Sequence, residues 1–200
     1  MISETLDRAG AGVGAACSPG TRITRSLLGY GAAAGPFYVL AVLAQALVRP
    51  GFNLAHDDAS LLSNGSLGWI QIANFLLTGL MVIACAVGVR RALAGGRAGT
   101  WGPILLSLYG LGGILHIVSA AIGFFGFAAA CFVIAQRFAR DRRPAWAWAS
   151  RLTGIVFLAG FAGLASGSDG AIVVLGFWVA LLIAWGWLAA LAIRLYRELA

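Results

Sequence analysis

The sequence predicts an all-α membrane protein, a polytopic bundle of transmembrane helices. Three observations carry this. The chain is 60% hydrophobic and 10% charged, with a mean hydropathy of +0.90; a soluble domain is nearer one quarter charged. Its charge-free apolar blocks reach the roughly 20 residues that a helix needs to cross a bilayer core. Thirteen of its 14 basic residues gather in four clusters between those blocks: Arg8 to Arg25, Arg90 to Arg97, Arg137 to Arg151, and Arg194 with Arg197. Only Arg49 stands apart. Arginine beside span ends marks the cytoplasmic side.

Taken in order, residues 1–26 form the expected cytoplasmic tail, disordered and outside the single transmembrane domain of 27–199. The tail is not read as a signal peptide. Glu4 and Asp7 occupy the place of a positive n-region, and no apolar stretch precedes Cys17. Gly10, Gly12 and Gly14 follow no strand, so they make no dinucleotide fingerprint. The first span is expected over 26–48, with Pro36 bending it and Gly31 and Gly35 allowing close helix approach. The second runs over 67–89.

The third block, 101–136, is 36 residues without a charge. As one helix it would measure about 54 Å, nearly two bilayer cores, yet two full spans need about 40 residues plus a turn. Both flanks carry arginine, so both belong to one side of the membrane. The expectation is a half-helix at 103–108, a turn at Gly110, Gly112 and Gly113, and a full span over 115–138. The remaining spans are 146–166 and 171–191. The bundle thus has four full spans plus a shortened or re-entrant third element. A single long tilted helix is the other reading of this block.

A net charge of +7 and a pI near 10.4 could point to nucleic acid. The arginines lie beside span ends, where they set topology and attract anionic headgroups, so no nucleic acid is expected. Membrane lipids are the expected partners, with a homo-oligomer or a membrane protein partner left open. All basic residues are Arg and none is Lys, which, with many Ala and Gly, suggests a bacterial cell (inner) membrane protein. The odd count of three cysteines argues against a disulfide framework. Cys85 and Cys131 read as small buried hydrophobes.

Chemistry has few places to sit. Gln71, Asn74 and Thr78 are spaced i, i+3, i+7 and share a helix face, which Met81 and Cys85 continue. Amides in lipid must face other helices. They are either interhelical hydrogen bonds or the polar wall of a ligand cavity. His116 is an ionisable group inside a span, a functional candidate by default. His56 adjoins Asp57 and Asp58 in the outer loop, where the trio reads as a solvated surface or as an acid/base or metal cluster. Two histidines plus an aspartate would match a catalytic zinc count, but nothing in the sequence makes them converge. No metal or other cofactor is therefore assigned, and no nucleophile elbow, phosphate loop or HExxH helix is present. Trp69, Trp101, Trp146 and Trp148 lie near span ends, as an aromatic belt. Trp178 and Trp185 are seven apart on one face of the last span, a packing or lipid stripe.

The stretch from His56 to Phe75, His-Asp-Asp-Ala-Ser-Leu-Leu-Ser-Asn-Gly-Ser-Leu-Gly-Trp-Ile-Gln-Ile-Ala-Asn-Phe, with Gly79 after it, resembles the bacterial membrane family called domain of unknown function 998. Ser60, Leu61, Ser63, Gly68, Trp69, Gln71, Asn74, Phe75 and Gly79 carry the likeness. Gly113-Ile-Leu-His116 followed by Gly123-Phe124 resembles a later motif, and Ala162-Gly-Leu-Ala-Ser-Gly167 extends the match within 27–199. The resemblance implies six spans with both termini in the cytoplasm. The chain departs from the family pattern by lacking an outer loop between the third and fourth spans. It also has Gly112 where the family has a histidine.

The favoured function is non-catalytic: binding or translocating a lipid or small solute at an outward polar pocket. His56, Asp58, Gln71, Asn74 and His116 are the expected ligand-binding residues. A membrane hydrolase using His116, His56 and an aspartate is one alternative, and a structural or partner-binding bundle is another.

Overall fold

Ser18 starts the first helix. Its hydroxyl accepts the Thr21 N–H at 3.2 Å, and Pro19 occupies the first turn, where a missing N–H costs nothing. Helix α1 therefore spans Pro19–Val48 and begins before the expected Ser26. A computed structural model describes residues 18–199, with the side chains of 116–120 excepted. The expected tail lies mostly outside these residues. A 3-10 turn, Ala59–Ser63, precedes α2, Gly68–Ala92. Then come α3, Gly96–Ile114, α4, His116–Arg140, α5, Pro144–Ala165, and α6, Ala171–Glu198. The described residues contain no strand, so the fold is the expected all-α membrane bundle.

Five helices are long and apolar enough to cross a membrane. The exception is α3, the shortened third element, whose glycines and Arg97 lower its hydropathy. At 19 residues it still measures about 28 Å, close to a bilayer core. The apparent shortage of residues in the third block is met because α3 starts at Gly96, inside the arginine-bearing segment. The expected half-helix at 103–108 is only its middle. The expected turn at Gly110 to Gly113 is a correction: those glycines are helical, and the chain reverses at Leu115. They serve packing instead. A methyl group on Gly79 would lie 2.5 Å from the Gly110 carbonyl oxygen, and one on Gly110 would lie 2.6 Å from that of Gly79. Glycine at both positions lets α2 and α3 touch backbone to backbone.

Helices α3 and α4 form an antiparallel hairpin: Gly102 meets Ile134 at one end and Gly123 meets Gly112 at the other. Both flanks of the third block therefore lie at the same end of the bundle. Each helix packs on the next, and α6 returns to α1, closing a ring of six. The expected close approach at Gly31 and Gly35 makes this closure. A methyl group on Gly31 would collide with the Cys85 sulfur of α2, and one on Gly35 would lie 2.7 Å from the Trp185 Cβ of α6. Cys85 and Cys131 are buried and free, as expected of small hydrophobes.

The ring has two chemically distinct ends. One collects arginine from the start of α1, the α2–α3 and α4–α5 junctions and the end of α6. Arg91 donates to the Thr24 hydroxyl at 2.8 Å, tying α2 to α1. Arg90 donates to the Gly99 carbonyl at 2.8 Å, and Arg194 of α6 stacks over Phe138 and Trp146 at 5.0 and 4.8 Å. The other end holds Asp57, Asp58 and Asp169 with a single arginine, Arg49, among the described residues.

Candidate functional site

Arg49 shapes the acidic end. Its guanidinium donates to the Leu62 carbonyl at 3.1 Å and to the Asn64 carbonyl, pinning the loop between α1 and α2. The pinned loop lays the 3-10 turn across the mouth of the ring. Asp58 caps that turn: one carboxylate oxygen, Oδ1, accepts the Ser60 N–H at 2.8 Å and also the Ser60 hydroxyl. Asp57 is spent locally, accepting the Asn53 N–H at 2.7 Å.

Below the turn lies a cavity of about 190 Å³ at the centre of the ring. Asp58, Ala59 and Ser60 form its rim, and Asp58 is the one formally charged residue lining it among the described residues. Every helix except α5 contributes from deep in the ring, and α5 adds Phe161 and Leu164 near the rim. The walls are aromatic. Tyr38, Tyr109 and Trp185 line it together, with ring centroids 5.5 Å apart for Tyr38–Trp185 and 5.7 Å for Tyr109–Trp185. Phe124 packs on Phe161 and Phe177 at 4.9 and 5.9 Å to complete the far side. Gly79, Gly110 and Gly113 leave the remaining wall without side chains, so the backbone contact of α2 and α3 also makes room for the cavity.

The cavity has a packed floor. Phe127, Ile134, Leu188 and Leu191 are fully buried between it and the arginine end. The Trp185 Nε1 is buried without a hydrogen-bond partner among the described residues. An unpaired buried donor costs about 1–3 kcal/mol.

Of the five residues expected at a site, four have described side chains, and one of these four, Asp58, lines the cavity. Gln71 and Asn74 are buried on the expected helix face, but beside α1 and not among the cavity-lining residues. Gln45 Nε2 donates to Gln71 Oε1 at 2.8 Å, and Asn74 Nδ2 donates to the same oxygen and to the Tyr38 carbonyl, each at 3.3 Å. Thr78 donates to Asn74 Oδ1 at 3.2 Å and itself touches the cavity. The amide stripe thus joins α1 to α2 through interhelical hydrogen bonds. His56 is exposed on the outer loop, its Nδ1 3.0 Å from the Asp169 carbonyl in the α5–α6 turn. His116 begins α4, and its side chain lies outside the described residues. Among the described residues no three His, Cys, Asp or Glu side chains are grouped to hold a metal.

Sequence reasoning missed Tyr38, Tyr109, Phe124 and Phe177, and read Trp185 only as packing. A signal was present: tyrosine and tryptophan favour the interface, where the polar tip stays wet. Tyr38, Tyr109 and Trp185 instead lie mid-helix.

The family model described as a protein of unknown function, DUF998, matches residues 32–194. The chain belongs to the DUF998 family. No curated protein and no solved structure matches it. The match runs from α1 into the last turns of α6, so the closed ring and its cavity fall within the DUF998 region.

Proposed function

We propose that this DUF998 protein binds a small amphipathic molecule, a lipid portion or a solute, in the central cavity, without chemistry on it. The observation that carries the reading is an aromatic chamber inside a membrane bundle with one carboxylate at its rim. A dry apolar cavity of about 150 Å³ can hold a molecule of benzene size, and this one exceeds that volume. The packed floor supports binding over passage through the ring. The positive-inside rule supports an orientation with the arginine end and both termini in the cytoplasm of a bacterial cell and the cavity mouth outside. His56 and His116 stay in this reading as mouth groups, with Gln71 and Asn74 holding the wall that carries Tyr38.

Filling the cavity tests it. A Cβ at Gly113 would meet nothing closer among the described residues than the Phe75 carbonyl oxygen at 3.8 Å, and leucine is a better helix former than glycine. Gly113→Leu is expected to keep the fold and lose whatever small molecule or lipid co-purifies with the wild-type protein, read by mass spectrometry of matched preparations. Equal retention in both proteins would contradict the proposal.

A further inference from the structure

We infer that the cavity selects an ammonium group: the ligand, free or as a lipid headgroup, presents a quaternary or primary ammonium to Asp58 and the aromatic walls. This rests on the binding reading above and names the ligand class.

Three features converge. First, the field at the mouth opposes the charge of the whole molecule. The chain carries +7, but its arginines collect at the far end, leaving Asp57, Asp58 and Asp169 against Arg49 here. Second, Asp58 is held in place through Oδ1, which takes both bonds that fix it to the 3-10 turn, while its other carboxylate oxygen has no hydrogen-bond partner among the described residues. Opposite charge in a low-dielectric mouth acts far more strongly than in water. Third, the chamber beneath offers tyrosine and tryptophan faces from three separate helices: Tyr38 of α1, Tyr109 of α3 and Trp185 of α6. Rings so arranged around a space attract a cation through their quadrupoles, and tryptophan does so best. An anionic ligand would meet Asp58 with no cationic side chain among the described residues that line the cavity. A neutral one would gain at most a hydrogen bond from the carboxylate, without the attraction between opposite charges.

Choline and 3,3-dimethyl-1-butanol test the inference, because they share shape and hydroxyl and differ in charge. Their binding to the full-length protein in maltoside micelles is measured by calorimetry or saturation-transfer NMR. Choline is expected to bind at least about tenfold more tightly than the neutral alcohol. Asp58→Asn keeps a good cap for the turn, and it is expected to remove most of that preference while leaving the alcohol's affinity unchanged. Equal binding of the two probes would overturn the ammonium reading and leave the cavity reading standing. Binding of neither would overturn both. A choline preference that persists in Asp58→Asn would overturn the role given to the carboxylate. The source of the ammonium is read from lipid exchange into mixed vesicles. Preferential retention of phosphatidylcholine or phosphatidylethanolamine over phosphatidylglycerol, lost in Asp58→Asn, identifies a headgroup; choline binding without such retention identifies a free solute.

Discussion

Gln71 takes two hydrogen bonds on a single oxygen while its own amide nitrogen finds no partner among the described residues. These two facts pull in opposite directions. The bond from Gln45 crosses to α1 and is worth about 0.6 kcal/mol, and the bond from Asn74 runs within α2, whereas a buried unpaired donor is a cost. Gln71→Leu forfeits both bonds but also deletes the orphaned donor. The expected net loss is therefore small, about 1 kcal/mol, or roughly 2–4 °C in Tm for a chain of this size. A thermal melt in detergent checks it; a collapse of the fold would show the amide network to be far stronger than its bond count. Asp58→Asn is the contrasting case, with the melt unchanged and the preference for choline over the neutral alcohol mostly lost. Ser150 supplies a third. Its hydroxyl accepts the Trp187 N–H at 3.0 Å in a fully buried setting, joining α5 to α6. Ser150→Ala strands that donor and is expected to cost about 1–3 kcal/mol, more than Gln71→Leu, read in the same melt.

The helices show how far sequence patterning reaches. Spans α2, α5 and α6 were legible because apolar blocks end at arginine or at loops rich in Gly, Ser and Asp. The α3–α4 hairpin was legible only in outline. Matching arginine on both flanks placed its ends together, and the hairpin agrees. Its turn was misplaced, because glycine is an equally good sign of chain reversal and of close helix contact, and the choice depends on what lies opposite. Gly79 lies opposite Gly110, and a partner 31 residues away leaves no local periodicity to read. The consequence is testable at this scale. Gly110→Leu forces a side chain against a carbonyl oxygen and should separate α2 from α3, costing roughly 1–3 kcal/mol or more. Gly113→Leu, three residues along the same helix, should be tolerated. Equal stability of the two variants would mean that the backbone contact is not maintained in the membrane.

For the whole molecule, composition and arginine placement were enough to indicate a membrane bundle, whereas the cavity was not legible. Its walls come from residues as distant as Tyr38 and Trp185, united only when the ring closes. Of the expected site, Asp58 was accessible to sequence reasoning because a carboxylate in an outer loop is conspicuous. The rings were not, because an aromatic residue in an apolar block resembles any other apolar residue. Orientation belongs to this scale too. In a cysteine-free background, cysteines introduced at Ala94 and Ala145 are expected to resist an impermeant maleimide in whole cells, while those at Ser66 and Ser168 react. Labelling of Ala94→Cys and Ala145→Cys from opposite faces would break the hairpin topology.

The seam between α1 and α6 also constrains how the protein is made. A ribosome delivers helices in order, so α1 enters the bilayer first and its ring neighbour α6 last. Tyr38 waits through four intervening helices before Trp185 arrives beside it. Until then the nascent bundle is an open trough, with the amide stripe of α2 already paired to α1 but the aromatic chamber missing a side. Chains truncated before α6 should therefore insert normally and yet be held by quality-control proteases, and ligand capture should begin only once α6 has joined the ring.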